Sequence, residues 1–164
     1  MSSNILMAYY SWSGTTAALA KQIDDQLHPD VYQIQVPAGT FSTDMYATSD
    51  IAKAQLAAGK MPKLVNAVPD PSHYDRVLIG GPVWSGTPAT PVLAFLHAIN
   101  SRSLAVAPFY TDVGNAGDYE VHFKQAAGNL DVLPGFEATG VTNQREMTDW
   151  LTEVTNANTN NGGK

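Results

Sequence analysis

The run Arg76-Val77-Leu78-Ile79-Gly80-Gly81, continued by Pro82-Val83-Trp84-Ser85-Gly86-Thr87-Pro88 and then Thr90-Pro91, decides how this chain folds. Three consecutive apolar residues closed by two glycines suit a parallel strand buried on both faces; a strand with one wet side would alternate instead. Thr90-Pro91 then opens a helix, because proline at the first helical position has a suitable φ and gives up an amide that would be unbonded anyway. Val92, Phe95, Leu96 and Ile99 share one face of that helix.

The same strand-loop-helix unit recurs on both sides. Upstream, Ile5 to Tyr9 is a short apolar run, Leu19, Ile23 and Leu27 mark a helix, and His28-Pro29 ends it. Val31 to Val36 alternates like a half-buried strand, and Ser42 to Ala58 carries a weak helical face of Ala47, Ile51, Ala54 and Ala58. Residues 60–74, with Pro62, Pro69 and Pro71, read as a connecting loop. Downstream, Leu104 to Tyr110 is a fourth strand, Phe123, Ala126, Ala127 and Leu130 give a helical face, and Phe136 to Val141 is a fifth strand. A last helix starts at Asn143 as N-cap with Glu146 three residues on, and buries Met147, Trp150, Leu151 and Val154. This alternation predicts an α/β domain, a doubly wound parallel sheet with helices on both faces, over residues 1–155. Residues 156–164 hold nothing to bury and are expected to be a disordered tail.

With 164 residues the chain suits one domain. A net charge of -6 argues against a nucleic-acid partner, which would need clustered lysine and arginine. There is no cysteine, so thiolate and iron-sulfur chemistry are excluded and any redox role needs a bound cofactor. The four histidines, at 28, 73, 97 and 122, follow no metal-ligand spacing, so no metal is expected; His122 follows the glycine-rich loop at residues 111–119 and could face a ligand there, but reads as an ordinary helix-surface residue. Tyr9-Tyr10 and Met45-Tyr46 read as packing pairs. No basic flank, long apolar core or cleavage site marks the start; no membrane segment is expected, and the cytoplasm is the expected compartment.

In a doubly wound sheet, ligands sit beyond the carboxyl ends of the strands at the switch in strand order, which directs attention to the loops after strands one, three and four. The first is Ser11-Trp12-Ser13-Gly14-Thr15-Thr16. Hydroxyls and a glycine at a helix start form a nest for a phosphate, since amide groups and the helix dipole both favour an anion. The bland alternative is an ordinary N-cap. Neither a P-loop lysine nor a G-x-G-x-x-G pattern is present. In the second loop Trp84, held by proline and glycine, can stack on a planar ligand, or else cap the core. The third, Thr111 to Tyr119, contains Gly114 and Gly117, whose backbone can approach a ring edge, with Tyr119 over or beside it and Asp118 as N-cap of the next helix. A phosphate nest facing an aromatic loop fits flavin mononucleotide, FMN. No serine here has a G-x-S-x-G elbow or an assignable histidine and acid, so hydrolase chemistry is not expected.

These residues resemble the flavodoxin family, and in particular a branch with an S-x-S/T-G-x-T first loop and a G-x-P-x-W-x-G-T-x-P second one, here Ser11 to Thr16 and Gly80 to Pro88, preceded by Tyr74-Asp75. The likeness runs from Asn4 to about Val154. It implies a flavodoxin-like five-stranded sheet of order 2-1-3-4-5, the arrangement the general rule for such sheets takes as an example, with FMN at its edge. The phosphate would lie on Ser11, Ser13, Gly14, Thr15 and Thr16, with Trp12 near. Pro82, Val83, Trp84, Ser85, Gly86 and Thr87 would line ribityl chain and ring, and Gly114, Asn115, Gly117, Asp118 and Tyr119 the pyrimidine edge. No side chain is assigned a catalytic role. The branch often has two tryptophans where this chain has Trp84-Ser85, and its third loop is usually serine- and glycine-rich. The resemblance implies electron transfer or an NAD(P)H:quinone type of oxidoreduction, with a redox protein or small acceptor as partner. The negative chain and uncharged phosphate loop imply a low potential for the second reduction step. The alternative is a cofactor-free interaction module.

Overall fold

The apolar runs at residues 5–9, 76–84 and 105–112 lie side by side because each is buried on both faces over most of its length and can satisfy its amides only against a neighbouring strand; the flanking strands alternate between core and solvent. The computed structural model describes residues 4–99, 104–112, 114, 116–139 and 143–156. Its strands are β1 (Ile5–Tyr9), β2 (Asp30–Gln33), β3 (Arg76–Trp84), β4 (Thr87–Pro88), β5 (Ala105–Asp112), β6 (Asp131–Val132) and β7 (Phe136–Thr139). The helices are α1 (Thr15–Leu27), α2 (Met45–Ala58), α3 (Thr90–Ile99), α4 (Tyr119–Ala127) and α5 (Gln144–Asn156).

The sheet runs β2-β1-β3-β5 and continues through β6 and β7, all parallel, while β4 folds back antiparallel on β3. Counting β5 as fourth and β6 with β7 as successive pieces of the fifth strand, this is the expected order. The break falls at Pro134: Leu133 still donates its amide to the Val106 carbonyl at 2.8 Å, and proline has none to offer.

Alternation along each strand divides the core in two. Ile5, Met7, Leu78, Ala107 and Phe109 face α1 and α5, meeting Leu19, Ile23, Met147 and Trp150. Leu6, Ala8, Val77, Ile79 and Val106 face α3 and α4, meeting Val92, Phe95, Leu96 and Phe123. Each fully buried aliphatic or aromatic side chain contributes about 1.5–3 kcal/mol over an exposed one. Gly80 is needed in the middle of β3 because a Cβ there would enter the Phe109 ring of β5.

Several expectations shift. β2 ends at Gln33, although the Ile34 amide still donates to the Tyr9 carbonyl at 2.7 Å; Tyr32 and Ile34 are its buried phase, and Val31 points outward. α2 begins at Met45, and it buries Thr48 and Ala52 while Ala54 and Ala58 are exposed. A short 3-10 turn, Pro71–His73, lies within the connecting loop. Asn143 caps α5 as read, its side chain accepting the Glu146 amide at 3.0 Å. The last strand is described to Thr139; Asn156, expected to begin the tail, is the last residue of α5, and Gly140, Val141 and residues 157–164 lie outside the described residues. No helix among the described residues is long and apolar enough to cross a membrane.

Candidate cofactor site

The three carboxyl-end loops meet, and each is fixed differently. In the first, Ser11 Oγ accepts the amides of Gly14 and Ala17, both at 3.1 Å, and so closes the turn on itself. Gly14 takes φ 97°, a left-handed value that only glycine adopts cheaply, with open space around it. The first bond of α1 runs from the Ala18 amide to the Gly14 carbonyl at 3.0 Å. The Thr15 and Thr16 amides therefore belong to the first turn, where no intrahelical carbonyl reaches them. Ser13, Gly14 and Thr15 are exposed. This is an open nest of donors at the positive end of a helix, and it fits a phosphate without a lysine. Thr16 turns inward to hydrogen-bond Thr111 Oγ1 at 2.8 Å, which ties the nest to the end of β5.

The second loop is a tight hairpin. Val83 pairs with Pro88 and Trp84 with Thr87, leaving Ser85 and Gly86 as a two-residue turn with φ 55° and 74°. Two positive φ values define a type I′ turn, whose twist matches the flanking strands. It carries Trp84 against an aromatic cluster: Phe41 at 5.0 Å and Tyr10 at 5.8 Å between ring centroids, both edge-on. Burial pushes the Tyr10 phenol up to about 12, so it stays protonated. Trp12 is held by donating from its indole nitrogen to the Ser42 carbonyl at 2.9 Å. Between the hairpin and α2 runs a groove of about 190 Å³, in which Ser49, Lys53 and Leu56 face Trp84, Ser85 and Thr87. That is less than the roughly 300–1,000 Å³ of a complete small-molecule site.

The third loop rests on the hairpin. A Cβ at Gly117 would lie 3.3 Å from the Gly86 Cα, so the two backbones touch. Gly114 donates its amide to Asp112 Oδ1 at 2.6 Å. Asp112 Oδ2 is buried and lacks a fixed donor. The neighbouring Glu137 carboxyl is raised above the ordinary glutamate range, first by its interaction with the Asp112 carboxylate, then by burial and by the charges of Asp112 and Glu120. Tyr110 donates to Glu120 at 2.5 Å; burial first and this bond second push its phenol far up.

Most residues chosen from the sequence lie on these three loops, while the readings of Tyr119 and of the Met45-Tyr46 pair are corrected. Tyr119 does not lie over a ligand: it is fully buried, stacked on Tyr110 at 4.2 Å and beside Phe123, because position one of α4 faces the core as Phe123 does four residues on. Asp118 stands at the N-cap, and its carbonyl accepts the His122 amide, but its side chain makes no capping bond. Asn115 lies outside the described residues. Met45 and Tyr46 are not packed but 65% and 80% exposed at the start of α2, beside the site. His122, read as a helix-surface residue, is half-buried with its ring nitrogen on the Gly86 carbonyl, and Phe41 and the α2 wall carry no motif in the sequence; only the fold brings them in. No cluster of possible metal ligands occurs among the described residues.

A doubly wound sheet with a phosphate-type nest and an aromatic hairpin at its switch point defines a flavodoxin-like protein. The flavodoxin family profile matches residues 4–154, and the chain belongs to that family. A Lactobacillus acidophilus flavoprotein solved in complex with FMN is 35% identical, with a TM-score of 0.81 over 92% of this chain and 99% of that one. The apo form of the Lactobacillus acidophilus flavoprotein, also 35% identical, gives 0.69 over 92% and 98%. A structure from Bacteroides eggerthii, 23% identical, gives 0.80 over 94% and 99% and shares the fold. Comparison with curated proteins yields no match.

Proposed function

We propose that this protein binds FMN non-covalently and works as an electron-transferring flavoprotein, with a redox protein or a small acceptor as partner in the cytoplasm. The observation that carries the reading is the convergence of three loops: the Ser11–Thr16 nest abuts the Trp84 hairpin through Tyr10, and the hairpin abuts the Gly117 turn. The FMN-bound relative from Lactobacillus acidophilus supports it.

The nest would hold the phosphate by the Thr15 and Thr16 amides and the Ser13 and Thr15 hydroxyls, with the α1 dipole in place of a cation. Trp84 and the Ser85-Gly86 turn would hold and orient the ring, while Trp84, Phe41 and Leu56 keep water from one side of it. FMN itself supplies the one- and two-electron chemistry. The protein's own residues need move no proton, and none is assigned an acid or base role.

The test is an absorption spectrum of the purified protein followed by FMN titration of any apo fraction, read by flavin fluorescence and by thermal unfolding. Flavin bands, or saturable binding that raises the unfolding midpoint, are expected. A colourless protein whose unfolding ignores excess FMN would refute the reading in favour of a cofactor-free interaction module.

A further inference from the structure

His122 sits where the hairpin, the third loop and α4 meet. Its Nδ1 lies 3.1 Å from the Gly86 carbonyl oxygen and 3.4 Å from Thr87 Oγ1. A carbonyl only accepts, so Nδ1 carries the proton, and Thr87 Oγ1 is a second, weaker acceptor of it. Behind the imidazole α4 is anchored by Tyr119 and Phe123, both fully buried. On another side the turn meets Gly117, backbone to backbone. The turn needs such a grip. Ser85 is not glycine yet sits at φ 55°, a left-handed conformation that an L-residue adopts at a cost. Such backbone persists only where the surroundings over-determine it.

We propose that His122 is a positioning residue for the cofactor hairpin: its Nδ1–H holds the Gly86-Thr87 peptide in the orientation that presents Trp84 and the turn to FMN. The inference rests on the FMN reading above. It requires the Nδ1–H tautomer of the imidazole.

Two measurements test it. Nitrogen chemical shifts of His122 in the labelled apo protein should report a protonated Nδ1; the opposite neutral tautomer overturns the proposal whether or not FMN binds. FMN titration then compares wild type with His122→Leu, which removes the donor, and His122→Asn, whose side-chain amide places a donor near the Nδ1 position. The leucine variant should bind FMN roughly tenfold more weakly, and the asparagine variant should stay within about threefold of wild type. A leucine variant equal to wild type, or an asparagine variant as weak as leucine, overturns the clamp. If the leucine variant does not fold, the tautomer and the asparagine titration still decide. Wild type that binds no FMN refutes the functional reading; wild type that binds, with a leucine variant that binds equally, refutes this one.

Discussion

The first loop and the hairpin serve one site but are held in opposite ways. Ser11 to Thr16 closes on itself: Ser11 Oγ takes two amides within six residues, and Gly14 provides the left-handed step into α1. The Ser85-Gly86 turn is gripped from afar, by His122 across 36 residues and by the backbone at Gly117. A phosphate nest can thus be written into a short segment, because its donors are the backbone's own. Aiming a planar ring contact needs walls, and walls come from other elements. Damage to the third loop or α4 should therefore loosen the ring side and spare the nest.

The comparison breaks most visibly at Trp84. Trp84→Ala removes the ring that Tyr10 and Phe41 pack against, and should cost about 2–3 kcal/mol of stability, somewhat below a fully buried case because Trp84 is half-buried. Urea unfolding measures this, and FMN affinity should fall further; an unchanged midpoint would mean the cluster is not a support. Ser11→Ala probes the self-closed half. Losing an acceptor for two amides should cost about 1–2 kcal/mol and weaken FMN, with the hairpin's Trp84 fluorescence unchanged in the apo protein. A fluorescence change as large as that of a hairpin variant would show that the halves are not separate.

Tyr119 sharpens the contrast from the core side. Its hydroxyl is buried and has no partner among the described residues, so Tyr119→Phe should stabilise the protein by about 1 kcal/mol with FMN affinity unchanged. A loss of affinity would restore the residue to the ligand contacts from which its burial removes it.

The smallest effect concerns pH. Glu137 has a folded pKa above its ordinary value, so the stability it contributes is complete below the ordinary glutamate range and is lost as pH rises through the raised value. Glu137 is exposed, and solvent screening keeps the effect small. Denaturation curves taken from weakly acidic to neutral pH should show wild type losing stability relative to Glu137→Gln. Parallel curves would mean that no proton is shared with Asp112. Because Asp112 also holds the Gly114 amide, the same loss should appear in hydrogen exchange at the third loop and not at the nest.

Legibility followed the range of the interactions. The buried strands, the helix at Thr90-Pro91 and the Asn143 cap were readable because apolar runs and caps act within a few residues, whereas the strand order came from the resemblance to the flavodoxin family. The α2 face was misread because alanines do not announce a side; Thr48 and Ala52 are inside because of what they meet. Tyr119 was misplaced for the converse reason: a tyrosine beside a glycine-rich loop looks like a ligand contact until α4 is wound and its first position turns inward.

By itself, then, the sequence determined an alternating α/β chain with a phosphate-type nest after its first strand, since periodicity, glycine geometry and helix dipoles are properties of short segments. Only the tertiary structure decided which way Trp84 is held, that Ser85 and Gly86 form a left-handed turn, and that His122 rather than Tyr119 meets the hairpin. Those outcomes depend on contacts between residues tens of positions apart, and no local pattern carries the orientation of one element against another.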